Sequence, residues 1–133
     1  MIFRRRRLPV ELEAPRAAFV EVLAEVEPAK EALTGCMPTT RMPGRPLPDA
    51  LLEYGSRLER ARIRMPDWRC PVLEEEWMAC DVGLREALSL ARRLREEAPD
   101  LGGFEGLLGT VEALMDPLTP FEAAERVFRT LRI

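Results

Sequence analysis

The chain has 133 residues, of which 47% are hydrophobic and 32% are charged, and its net charge at pH 7 is −3. This composition is typical of one globular domain and excludes a disordered chain, whose hydrophobicity would be too low to offset the entropy lost on folding. Because the sequence contains no His, it also excludes Ser-His-Asp and Cys-His catalytic sites, His-ligated zinc and di-iron sites of the Glu-x-x-His type.

The first 14 residues show neither a helical period nor a capping residue. They contain the densest run of positive charge in the chain, which consists of Arg4, Arg5, Arg6 and Arg7. We predict a flexible basic N-terminal arm over residues 1–14, followed by a single helical-bundle domain over residues 15–133.

The next part of the chain predicts two helices joined by a long loop. Apolar residues recur every three or four positions over 15–33, which indicates a helix that Pro28 is expected to kink or restart. The proline-rich segment 34–46 favours an extended path that is long enough to cross a bundle, so helices one and two are expected to run parallel. A heptad pattern of apolar residues then predicts the second helix over 47–64.

The second half of the chain predicts three more helices. The third covers residues 71–98 and is the longest, because its apolar seam is unbroken for about four heptads. The fourth covers residues 101–115 and is weakened by interior glycines. For the fifth, Thr119, Pro120 and Glu122 predict a capping box with proline at the first helical position.

These elements predict an all-α fold. We expect a single-domain four- or five-helix bundle with a long central third helix and a Pro-rich loop between helices one and two. Three pairs at i, i+4 are expected to form ion pairs along helix three: Asp81 with Arg85, Arg92 with Glu96, and Arg93 with Glu97.

No residue pattern in the sequence predicts a catalytic, metal or cofactor site, so we expect a protein that is not an enzyme. The three cysteines, Cys36, Cys70 and Cys80, show no CxxC spacing and cannot all pair within one chain. They indicate a reducing environment, and with no secretory leader we expect a cytoplasmic protein. We also expect no transmembrane span, since no apolar run reaches the roughly 20 residues that such a helix needs.

Three functional hypotheses remain open. The first is a non-catalytic protein-interaction or assembly module that binds another protein or itself as a homodimer, with Trp68, Trp77 and Leu84 as candidate interface residues. The second is an accessory protein that binds nucleic acid or an anionic membrane surface through Arg4, Arg5, Arg6, Arg7, Arg57, Arg60 and Arg64. The third is a small-molecule sensor with an apolar pocket between helices.

Overall fold

The computed structural model describes residues 7–131, and all regular structure in that range is helical. The range contains five α-helices: α1 (Glu13–Thr34), α2 (Leu47–Arg64), α3 (Glu74–Glu97), α4 (Phe104–Met115) and α5 (Thr119–Thr130). Short 3₁₀ turns precede α1, α3 and α5, at Val10–Leu12, Met65–Trp68, Pro71–Leu73 and Asp116–Leu118. No strand occurs among the described residues, and the prediction of an all-α helical bundle is confirmed.

One apolar core joins the five helices, and an aromatic cluster lies within it. The centroid of the Phe19 ring lies 4.8 Å from that of Trp68 and 5.0 Å from that of Phe128. Beside these rings, Arg16 makes two hydrogen bonds to the carboxylate of Glu125, at 2.5 and 2.9 Å. The start of α1 is therefore held against α5 by both aromatic contacts and an ion pair.

Helices α1 and α2 run antiparallel, so the expected parallel arrangement is wrong. Arg64 at the end of α2 lies 2.6 Å from Glu21 near the start of α1. At the other end, the backbone N–H of Arg45 donates to the carbonyl of Gly35 at 2.8 Å. The proline-rich segment therefore reverses the chain instead of crossing the bundle, and this backbone hydrogen bond joins its two ends.

The first helix begins two residues before the predicted residue 15. Helix α1 begins at Glu13, Leu12 is buried, and Leu8 packs against the core. Of the predicted basic arm, residues 1–6 lie outside the described residues. Further along, α1 continues through Pro28 without restarting.

The predicted capping box at the start of α5 does not form. The backbone of Thr119 is already helical (φ −60°, ψ −30°), and its hydroxyl donates to the carbonyl of Asp116 at 2.9 Å. The residue before the helix is Leu118, which makes no side-chain capping bond. The reason is that the chain enters α5 directly from a 3₁₀ turn, so Thr119 has no extended backbone from which to cap.

Candidate functional site

The structure places the three predicted arginines of α2 against glutamates of α1. Arg57 and Arg60 lie 3.4 and 3.1 Å from the carboxylate of Glu25, and Arg64 lies 2.6 Å from that of Glu21. Their charges are therefore offset within the bundle, and they help to fix the antiparallel packing of α1 and α2. Of the four predicted N-terminal arginines, Arg7 is exposed, whereas Arg4, Arg5 and Arg6 lie outside the described residues.

The candidate interface residues lie inside the protein's own core. Trp68 and Leu84 are 0% exposed and Trp77 is 6% exposed. The indole N–H of Trp77 donates to the carbonyl of Met65 at 2.8 Å, and the guanidinium of Arg69 lies 4.1 Å from the centroid of its ring. In this structure the three residues present almost no surface to a partner, because the core of the bundle encloses them.

Another part of the α3 surface is open, namely a groove of about 500 Å³ whose lining, among residues 7–131, comes from α2 and α3. We call it the α2–α3 groove. Small side chains line its middle: Gly55 and Ser56 from α2, Ser89 and Ala91 from α3. A Cβ built on Gly55 would meet no atom within 4 Å. The groove is therefore open because small residues stand where larger ones would fill the space between the helices.

One end of the α2–α3 groove opens into an apolar cavity of about 380 Å³, which we call the end pocket. Leu47, Leu94 and Leu101 line the end pocket, and Leu52 and Arg95 line both the groove and the pocket. The two cavities therefore form one continuous surface that ends in an apolar pocket.

The wall of the end pocket depends on the turn after α3. Ala98 ends this helix in the left-handed conformation, with φ 41° and ψ 55°. Gly102 and Gly103 have φ values of 75° and 115°, which favour glycine. These two glycines also explain why α4 begins at Phe104 and not at the predicted residue 101. Leu101, in the short segment between the two helices, is thereby left to line the pocket.

Charge is unevenly distributed along the α2–α3 groove. Its lining within the described part of the chain includes one acidic residue, Glu59, and four arginines: Arg62, Arg85, Arg92 and Arg95. Arg62 lies 3.6 Å from Glu59, and Arg85 lies 3.2 Å from Asp81. Within residues 7–131, Arg92 and Arg95 have no carboxylate within ion-pair distance. The groove is therefore positive on a chain whose net charge is negative.

The ion pairs predicted along α3 are only partly found. The pair between Asp81 and Arg85 is confirmed. The pairs of Arg92 with Glu96 and of Arg93 with Glu97 are not formed in the described part of the chain.

Sequence reasoning did not single out the groove residues. The sequence did contain one signal for them, because Arg85, Arg92 and Arg95 lie on α3 together with Leu88. The arginines are seven and three residues apart, and such steps keep side chains on one face of a helix.

Outside the groove, the cysteine thiols and the carboxylates are the other groups that could bind a metal ion or act as nucleophiles. Residues 7–131 contain no group of three or more Cys, Asp or Glu side chains that could hold a metal ion. Cys36, Cys70 and Cys80 are free thiols, and burial raises the pKa of each, that of Cys80 to about 12. A thiol with a raised pKa is a poor nucleophile at neutral pH.

No helix within residues 7–131 is both long and apolar enough to cross a membrane. Comparisons of the chain with protein-family models, curated proteins and solved structures gave no match. The α2–α3 groove and its end pocket are therefore the features from which a function is inferred.

Proposed function

We propose that this protein is a non-catalytic interaction module that binds a segment of another protein in the α2–α3 groove. The observation that carries the proposal is the continuous groove with an apolar pocket at one end. From Leu47 to Arg62, α2 rises by about 22 Å at 1.5 Å per residue, so the groove and its end pocket together match about four turns of a docked helix. A groove between two helices can bind a third helix with the packing found in helical bundles, and apolar side chains of that helix are then anchored in a pocket.

Self-association through the same groove is less favourable than binding a different protein. In a dimer with two-fold symmetry the same patch meets itself, so the arginines of one groove would face those of the other. Like charges brought together across an interface oppose association. We therefore assign the groove to a different protein, and a dimer formed through it would contradict this assignment.

The variant Gly55→Leu tests the proposal by filling the groove. A Cβ at residue 55 meets nothing within 4 Å, so the first carbon of the larger side chain causes no clash. The matched control is Gly109→Leu, since Gly109 is also a helical glycine with nothing within 4 Å and lies on α4, outside the groove. Circular dichroism should show that both variants keep the helix content of the original protein.

The measurement is quantitative capture from a lysate of the source organism, with sedimentation velocity to record self-association. We expect one protein, retained in near-stoichiometric amount by the original chain and by Gly109→Leu, to be lost from Gly55→Leu. Equal retention by both variants, or a dimer that Gly55→Leu disrupts, would contradict the proposal.

A small apolar ligand in the end pocket is a second candidate, because a cavity of about 380 Å³ lies within the range of ligand sites. A fatty acid of medium length could place its chain among the leucines and its carboxylate near Arg95. Binding of decanoate would raise the melting temperature with increasing dose, and Leu101→Arg should abolish that rise. A melting temperature that does not change with decanoate rejects this candidate.

A further inference from the structure

We infer that the segment bound in the α2–α3 groove is an acidic amphipathic helix whose carboxylates contact Arg92 and Arg95 and whose apolar face reaches the end pocket. The inference rests on the proposed function, since it specifies the chemistry of the partner at the same groove. It is supported by how the arginines are paired, by their spacing and by what else lines the groove.

Helix α2 carries arginines on two sides, and the two sides differ in how they are paired. Toward α1, Arg60 and Arg64 each lie within 3.1 Å of a glutamate that α1 supplies. Toward α3, Arg62 lies 3.6 Å from Glu59 of its own helix, and α3 adds arginines to the same groove. The arginines between α1 and α2 are thus neutralised by glutamates, whereas positive charge is in excess between α2 and α3. Carboxylates from outside the chain would restore the balance there.

The arginines of α3 are spaced to match a helix. Arg85 and Arg92 are seven residues apart, which is close to two turns and keeps both side chains on one face. Arg95 extends this row to about 15 Å along the helix axis. Because Arg85 is already paired with Asp81, the carboxylates of the docked helix are assigned to Arg92 and Arg95, and glutamates or aspartates three or four residues apart would lie opposite these two arginines. The guanidinium group favours this partner because it can make two parallel hydrogen bonds to one carboxylate.

The remaining lining favours a peptide over nucleic acid. Leu51, Leu52 and Leu88 line the groove, and Leu101 lines its end pocket. Apolar side chains of an amphipathic helix can be buried against these leucines, whereas a phosphate backbone gains nothing from them. Proteins that hold single strands stack bases on aromatic side chains. The described residues that line the groove and pocket include no aromatic side chain.

The test is a selection from a display library of random peptides, with the full chain as bait. The peptides have about 16 residues, which is long enough for about 24 Å of helix. Enriched peptides are then synthesised with a fluorescent label, and their affinity is measured by anisotropy. The test variant is the double substitution Arg92→Glu and Arg95→Glu. The control is Arg93→Glu with Arg126→Glu, which changes the net charge equally at exposed arginines that line neither the groove nor the end pocket.

We expect enriched peptides to be acidic and amphipathic, and to bind the test variant at least about tenfold more weakly than the control variant. Raising NaCl from about 50 to about 500 mM should weaken binding, because salt screens exposed charges. The test variant used as bait should itself enrich basic peptides. Absence of enrichment on the original chain, enrichment of basic peptides on it, or an acidic peptide that binds the test variant equally well would each overturn the inference.

Failure of this inference can be distinguished from failure of the proposed function. If Gly55→Leu abolishes capture of the lysate protein but the double arginine variant does not, the groove binds a protein of different chemistry and only this inference fails. If a labelled single-stranded oligonucleotide binds more tightly than the peptides and is lost on Gly55→Leu, nucleic acid takes the place of the peptide.

Discussion

The hydroxyl of Tyr54 donates a hydrogen bond to the carbonyl of Leu114 at 2.6 Å. The side chain is fully buried, and burial raises the pKa of its phenol. A buried hydroxyl without a partner would cost about 1–3 kcal/mol, so this contact fixes where α4 lies against α2. The sequence could not predict this partner, because the bond joins residues 60 positions apart and its acceptor is a backbone atom with no sequence signature.

Cys80 should be unreactive in the folded protein. Its thiol is 0% exposed and its pKa is raised to about 12 by burial and, secondarily, by Glu76. We expect iodoacetamide at about pH 8 to leave Cys80 unmodified in buffer and to modify it fully in urea. Peptide mass mapping gives the extent of labelling at each cysteine. Fast labelling of Cys80 without denaturant would show that α3 is not packed as described.

The same thiol makes stability depend on alkaline pH. Its usual pKa is 9.0, and burial favours the protonated form in the folded state. The contribution of the buried thiol to the free energy of unfolding is therefore complete below about pH 9 and is lost as the pH rises toward about 12. Urea unfolding at about pH 8 and about pH 10.5 should show a lower free energy of unfolding at the higher pH. Cys80→Ala should show a smaller decrease, and an equal decrease would assign the effect to other groups such as Tyr54.

At the scale of single helices, two glycines should respond oppositely to alanine. Gly55 has open space at its Cβ position, so Gly55→Ala should stabilise α2 by about 1 kcal/mol. A Cβ on Gly83 would overlap the carbonyl of Pro117, so Gly83→Ala should destabilise the bundle by about 1–3 kcal/mol. Urea unfolding measures both, with Gly109→Ala as a control expected to behave like Gly55→Ala. If Gly83→Ala left the free energy of unfolding unchanged, the 3₁₀ turn at Pro117 could move away from α3 without cost.

The limits of α2 were predicted correctly, as residues 47–64, because a heptad pattern is bounded by prolines on both sides. The direction of α2 was not predicted, because it depends on contacts such as that of Arg64 with Glu21, which local periodicity does not encode. The groove was missed for the same reason. A space between helices leaves no pattern in either helix, and the i, i+4 rule had assigned Arg92 to Glu96 instead.

At the scale of the whole molecule, the bundle should unfold as one unit. Trp68 is 0% exposed and Trp77 is 6% exposed, and both belong to the core that joins the five helices. We expect thermal transitions followed by tryptophan fluorescence and by circular dichroism at 222 nm to coincide. Emission should shift to longer wavelength as the core opens. Two separate transitions would contradict the prediction of a single domain.

The contacts between α1 and α5 also affect how the chain folds during translation. Phe19 contacts Phe121 and Phe128, and Arg16 bonds to Glu125, so important partners of the first helix are translated last. A nascent chain that still lacks α5 therefore carries an uncovered aromatic surface while it emerges from the ribosome. Such a surface is what chaperones bind. This surface of α1 is fully covered only after Phe128 has been added, so a stop codon in α5 should yield an aggregating or degraded chain instead of a shorter bundle.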